Sequence, residues 1–308
     1  MAYYGVIDLG SNSIRLVVYE VAGSARKPFS KKDFHSVINE KKIAGLSAYV
    51  SDGVFTQAGI DRAVEVLTEH LRRARNVGCD RVRVFATAVL RNCSNSKAAT
   101  RAISDAIGLP VELLSARDEA HLGFVGATCD RDIERGTLID IGGGSTELTR
   151  VEGGADSCGV SLPQGSVSSY AQFVSMILPT HDEMHVIEDA FAAHLDTLGD
   201  LEPYRAARLY GVGGSTRAAA KMYAAAFGTS GRPRTLELHQ LDALLALLAR
   251  NPRTFAHLAV KATPDRLHTL VPGCLIAITL MRALGAESLE ICKYGVREGF
   301  LIRRILEA

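Results

Sequence analysis

The chain has 308 residues, 47% hydrophobic and 22% charged, which excludes a disordered chain and leaves room for roughly two domains of about 150 residues. Lys and Arg number 35 and Asp and Glu 34, a net charge of +1 that argues against a dedicated nucleic-acid or polybasic membrane binder. Trp is absent and the six cysteines are scattered without a CxxC pair, so neither base-stacking platforms nor a disulfide or zinc frame is expected; the thiols read as reduced and the setting as cytoplasmic. No basic n-region opens the chain, and no apolar run reaches bilayer length, so neither a signal peptide nor a membrane span is expected.

Residues 3–13 read as an apolar strand, an Asp and a Gly/Ser turn; Ile14, Leu16 and Val18 then alternate at a strand's period. A third strand is expected over 33–43. Thr56 caps a helix whose apolar face is Ile60, Ala63, Val64, Leu67, Leu71 and Ala74 and which Gly78 stops. A strand at 82–86, a helix at 96–107 ended by Gly108, a short strand at 111–114 and a helix opened by Ser115 complete the first half. Residues 137–147 repeat the opening pattern of strand, Asp and glycine turn, so a change of domain is expected near 124–132. The second half then reads as helices from Ser166, Thr180, Ser215 and Leu238 onward, strands at 209–212 and 289–292, and a terminal helix over 297–306. The stretch 228–234 reads as a mobile loop.

The chemistry concentrates in the turns. Gly142, Gly143 and Gly144 let backbone approach a ligand closely, their N–H groups form an anion nest suited to phosphate, and Ser145 and Thr146 add hydroxyls. Ser11, Asn12 and Ser13 serve the first hairpin in the same way, and Gly213, Gly214 and Ser215 form a third turn that a plain strand-to-helix connection explains equally well. Asp8 and Asp140, at strand ends beside the turns, suit Mg²⁺ held by carboxylates, phosphates and water; Glu147 is balanced between metal ligand and structural carboxylate. Arg91, just past a strand, carries a fork that matches phosphate, although most arginines are only solvated. Ser115 and Asp118 have capping-box spacing, and by spacing alone Glu119 is a solvated first-turn carboxylate. The arginines of 71–75 read as favourable charge at a helix C-terminus. The stretch 181–185 lacks the HExxH order, and neither GxSxG nor a Walker loop occurs.

Taken in order, VIDLGSNSIRLVV (6–18), ATAVLRN (86–92), SARDEAHLGFVG (115–126), LIDIGGGSTEL (138–148), SLPQGSV (161–167), YGVGGSTRA (210–218) and YGVREGFL (294–301) resemble the exopolyphosphatase and guanosine pentaphosphate phosphohydrolase (Ppx/GppA) family of the actin-like ATPase superfamily, over essentially the whole chain. The resemblance implies an α/β fold of two RNase-H-like domains, each a mixed five-stranded sheet with flanking helices, with the active site in the interdomain cleft. Its domains would be 1–125 plus 297–308, and 126–296. It implies Mg²⁺-dependent (or Mn²⁺-dependent) release of terminal phosphate from linear polyphosphate, with 5′-phosphate removal from guanosine pentaphosphate as the alternative. By the same carry-over Glu119 is the water-activating base, and Arg91 is a second catalytic residue that contacts phosphate. Asp140, Asp8 and Glu147 are the metal residues. Asn12, Ser13, Gly143, Gly144, Ser145, Gly213, Gly214 and Ser215 are the phosphate contacts. A homodimer is implied, and neither nucleic acid nor membrane is an expected partner. A kinase of the superfamily has less need of Glu119, and a silent phosphate-sensing module has no need of Glu119 with Asp140. Two departures stand out: Asp118 precedes Glu119 where the family often has Glu, and His268 stands where it usually has Asp.

Overall fold

Ile14, Leu16 and Val18 are fully buried, as their alternation requires, on a strand of the first of two compact units. The computed structural model describes residues 1–229 and 231–308, the side chain of Cys158 excepted; the expected loop at 228–234 therefore includes one residue outside the described set. Unit 1 comprises Met1–Asp132 and Tyr294–Ala308, and unit 2 comprises Ile133–Lys293.

Unit 1 runs β1 (Ala2–Leu9), β2 (Ser13–Val21), β3 (Phe34–Ile43), a small hairpin of β4 (Val50–Ser51) and β5 (Val54–Phe55), α1 (Gln57–Val77), β6 (Arg81–Ala86), α2 (Ala88–Arg91), α3 (Ser96–Ile107), β7 (Val111–Leu113) and α4 (Ala116–Thr128). Its five-stranded sheet has the order β3-β2-β1-β6-β7: β1, β2 and β3 pair antiparallel, and β6 and β7 continue parallel to β1. The Thr56 hydroxyl caps α1 by accepting from the Gly59 N–H, and Gly78 ends it in the left-handed region. Helices α1 and α3 bury Ala63, Val66, Leu67, Leu71, Ala99 and Ile103 against the sheet face that carries Ile7, Leu9, Ile14 and Leu16.

Unit 2 repeats the plan with β8 (Arg135–Ile141), β9 (Thr146–Glu152), β10 (Ala155–Leu162), α5 (Ser166–Phe173), α6 (His181–Asp196), β11 (Arg208–Val212), α7 (Gly213–Phe227), β12 (Thr235–Glu237), α8 (Leu238–Arg250), α9 (Pro252–Ala262), α10 (Leu267–Ala283) and β13 (Ser288–Ile291). The order β10-β9-β8-β11-β13 matches the first sheet strand for strand, and β12 adds a sixth strand antiparallel to β13 at the edge. Three residues are too few for β12 to show an alternation. Helix α10 is buried almost all round, from Thr269 to Ile278, as its apolar run over 273–281 dictates.

The chain then returns to unit 1 as α11 (Val296–Leu301), followed by a π-helical turn at Ile302–Leu306. Helix α11 lies directly on α4. A Cβ at Gly126 would collide with the Gly295 backbone, and one at Gly299 with the Leu122 backbone, so glycine is what permits the approach. Residues 126–132 and 294–296 group with unit 1: α4 continues unbroken through Thr128, and the Tyr294 ring packs edge-on to Phe34 at 6.1 Å. Among the described residues Cys79, Cys93 and Cys274 are free thiols, and burial pushes the Cys274 thiol up to about 12. No helix among the described residues is long and apolar enough to cross a membrane.

Candidate active site

In unit 1, parallel pairing aligns the carboxyl ends of β1, β6 and β7, with Leu9 opposite Ala86 and Ala86 opposite Leu113. The turn at 10–13, the segment 87–91 and the start of α4 therefore leave the sheet at one end, the usual place for a ligand in an α/β fold. In the turn, the Gly10 N–H donates to the Ser13 carbonyl at 3.2 Å. The Asn12 carbonyl accepts from Ala44 and Gly45 at 3.0 and 2.9 Å, and the Ser11 carbonyl accepts from Ser47 at 2.9 Å. The turn's carbonyls are thus consumed within the fold, while no hydrogen bond among the described residues uses the N–H groups of Ser11 and Asn12.

Unit 2 builds the same device. The Gly142 N–H donates to the Ser145 carbonyl at 3.0 Å, the Gly142 carbonyl accepts from Ser166 at 2.9 Å, and the Gly143 carbonyl accepts from Val167 and Ser168 at 2.9 and 3.0 Å. Here the N–H groups of Gly143 and Gly144 are the ones without a hydrogen bond among the described residues. Each turn is an anion nest with its acceptors turned inward.

Beside the second turn, Asp140 pairs with Glu147 across β8 and β9, and Glu147 with Ser161 across β9 and β10, so these side chains share one sheet face. Glu147 is 2% exposed; its Oε1 accepts from the Ser145 hydroxyl at 2.6 Å and the Ser161 hydroxyl at 2.8 Å. The third turn opens α7. Gly213 has φ +84°, and a Cβ there would strike Asp140 Oδ1, so only glycine lets the helix N-terminus, with its positive dipole end, close on that carboxylate. The Ser215 hydroxyl donates to the Ile141 carbonyl at 2.9 Å, a structural task within the turn cluster. Arg266 covers Gly214, whose missing Cβ makes room for the guanidinium, and the His268 ring packs edge-on to Tyr170 at 5.0 Å.

Two unit 1 residues named from motifs meet directly. Arg91 Nη1 donates to Glu119 Oε2 at 2.5 Å, with side chains 15% and 11% exposed, and reaches the Leu114 carbonyl at 3.4 Å. Glu119 is therefore held in one orientation rather than solvated. Ser115 caps α4 by accepting from the Asp118 N–H at 3.0 Å, and Asp118 is taken up by Arg304 at 3.1 Å, which leaves Glu119 as the first-turn carboxylate at Arg91.

Asp8 has a different environment from its counterpart Asp140. Its Oδ2 accepts from Arg297 Nη1 of α11 at 2.9 Å. Burial works to lower the Arg297 pKa, but Asp8, Glu298 and Tyr19 outweigh it and raise the guanidinium above its usual range. The Tyr19 hydroxyl donates to Glu298 at 2.6 Å, and burial, reinforced by Glu298, pushes that phenol well up. Arg297 and Arg266 were not singled out as site residues from sequence. A charged pair, Arg297 and Glu298, set among buried apolar positions of a terminal helix is the signal that marks the former.

A model of the Ppx/GppA phosphatase family matches residues 17–308. The chain belongs to the Ppx/GppA phosphatase family. It is 26% identical to an exopolyphosphatase 1 of Mycobacterium tuberculosis over 98% of this chain and 88% of that protein. An exopolyphosphatase 1 of Mycobacterium leprae is likewise 26% identical, over 98% and 89%. Among solved structures, an exopolyphosphatase from Cytophaga hutchinsonii superposes with a TM-score of 0.84 at 20% identity, covering 99% of this chain and 98% of that one. A Ppx/GppA member from Aquifex aeolicus gives 0.76 at 20% identity over 99% and 98%. The structural likenesses establish the shared two-domain actin-like fold, and the family makes this Ppx/GppA chain a hydrolase.

Proposed function

We propose that this Ppx/GppA protein is an exopolyphosphatase that hydrolyses the terminal phosphoanhydride of linear inorganic polyphosphate. The observation that carries this reading is the duplicated turn. Each unit offers backbone N–H groups with no other hydrogen bond beside a strand-terminal aspartate, which suits an extended polyanion better than a single phosphate. The curated relatives named exopolyphosphatase support it.

Water oxygen attacks the terminal phosphorus, the bond to the bridging oxygen breaks, and orthophosphate and a chain shorter by one unit leave. Unit 1 supplies Glu119, which orients the water and takes its proton, with Arg91 fixing the carboxylate and facing phosphate oxygens. Within unit 2, the nest of Gly143 and Gly144 offers donors suited to phosphate oxygens that carry negative charge. Asp140 and Glu147 present only oxygen donors on one face, with one of them buried, which fits a magnesium ion held by one or two carboxylates. When bound, that ion supplies Lewis-acid neutralisation of phosphate charge. Asp8 is already compensated by Arg297.

The test is phosphate release from polyphosphate and from guanosine pentaphosphate side by side, with Glu119→Gln as the control. Faster release from polyphosphate, and a loss of about 10² to 10⁴ in rate with binding retained in the variant, are expected. Faster turnover of the nucleotide would transfer the reading to the sister activity, and wild-type release by the variant would remove Glu119 as base.

A further inference from the structure

At the other end of the unit 2 sheet, a cavity of about 380 Å³ collects four arginines from separate segments: Arg135 at the start of β8, Arg150 on β9, Arg205 after the 3₁₀ turn at Glu202–Tyr204, and Arg208 at the start of β11. Gly136 and the single acidic lining residue, Glu202, complete the part that matters here. The six steps of β8 from Arg135 to Ile141, at about 3.3 Å each, put this cavity roughly 20 Å from the glycine turn of the same unit. It is a separate feature from the site described above.

Three of the four arginines are engaged only in ion pairs at the surface. Arg135 makes no ion pair among the described residues. Arg205 meets Glu202 at 3.4 Å and Arg208 meets Glu290 at 3.5 Å, with the arginine side chains 57% and 59% exposed. Arg150 meets Glu152 at 2.5 Å, also at the surface. Exposed pairs of this kind are weak, so a multiply charged anion can displace them. Guanidinium forks match phosphate oxygens in pairs, and the volume suits a small ligand rather than a peptide.

We infer that this cavity is a second anion site of unit 2, which binds the phosphate chain of a short inorganic polyphosphate or of a nucleoside triphosphate away from the phosphate turns. Four arginines converge on this small volume against Glu202 in its lining and Glu152 and Glu290 beside it, which leaves a net positive charge for a ligand of several negative charges.

The inference is independent of turnover, and the test is made without it. Tripolyphosphate and GTP are titrated calorimetrically into full-length Glu119→Gln protein, and into the same protein carrying Arg135→Gln and Arg208→Gln. Both positions are at the surface, so the fold is expected to persist, and circular dichroism verifies that. Two binding events are expected in the parent, one of them weakened about tenfold or more by the arginine substitutions. Loss with both ligands assigns the site to the phosphate chain alone; loss with GTP only adds a nucleoside contact. A single event in the parent, or isotherms unchanged by the two substitutions, overturns the inference. Failure of the exopolyphosphatase reading would show instead as absent phosphate release by the wild-type protein.

Discussion

Asp8 and Asp140 occupy the same place in two copies of one hairpin, each at the end of the strand that leads into an anion nest. Their neighbours give them different tasks. Arg297 offsets the charge of Asp8 at 2.9 Å, whereas Asp140 lies against Gly213 at the first turn of α7 and shares a sheet face with the buried Glu147. A divalent ion gains most where two carboxylates share one face beside phosphate oxygens. Asp140→Asn is therefore expected to raise the magnesium concentration needed for half-maximal phosphate release by about tenfold or more, one lost carboxylate contact being worth on the order of 1.4 kcal/mol or more. Asp8→Asn is expected to shift it less. Magnesium titrations of the two variants decide the point, and equal shifts would mean that Arg297 does not relieve Asp8 of that role.

Helix α11 is six residues long, yet it closes unit 1 by carrying Arg297 to Asp8, Glu298 to Tyr19 and Phe300 to within 4.7 Å of the Phe85 ring. Removing one partner of a largely buried pair leaves the other uncompensated, so Arg297→Met is expected to destabilise unit 1 by about 3 kcal/mol. Urea unfolding measures this, and a loss below about 1 kcal/mol would show the pair to be solvent-screened. None of these contacts was legible in the sequence, because Tyr19 and Glu298 lie 279 positions apart. What was legible is local. The two hairpins, the Thr56 and Ser115 caps, the helix from Thr180 and the stop at Gly108 follow from alternation, hydroxyl spacing and glycine, and all form as read. Strand β10 was passed over although Gly153 and Gly154, both at positive φ, mark the turn before it; its small residues show no apolar alternation. For the candidate site, motif order supplied Arg91 and Glu119, but spacing alone left Glu119 solvated, and only folding shows the two in contact.

The molecule as a whole is a chain that leaves unit 1 at Asp132 and completes it only after Lys293, so the stability of unit 1 depends on contacts between distant parts of the sequence. His70 is a sensitive point in it. On α1 it is fully buried, its Nε2 lies 3.3 Å from the Ile14 carbonyl next to the turn at 10–13, and its Nδ1 is buried without a hydrogen-bond partner. Burial lowers its pKa. The Ile14 carbonyl, Glu40 and Glu69 pull it upward and Arg73 downward, without reversing the shift. The unfolded chain therefore takes up a proton near the ordinary histidine value of about 6.5 while the folded chain stays neutral. Stability from this group is complete above that value and falls as pH drops toward the lowered folded pKa, at no more than about 1.4 kcal/mol per pH unit. Glu69, hydrogen-bonded by Lys42 and Arg73, is held down to about 2 from 4.5, so its contribution is lost in a separate window below 4.5. Urea midpoints measured from pH 2 to pH 8 are thus expected to decline in two stages. His70→Gln retains a donor for the Ile14 carbonyl but cannot titrate; it is expected to flatten the decline just below pH 6.5 and leave the lower one in place. An unchanged upper slope in that variant would assign the acid sensitivity to another group.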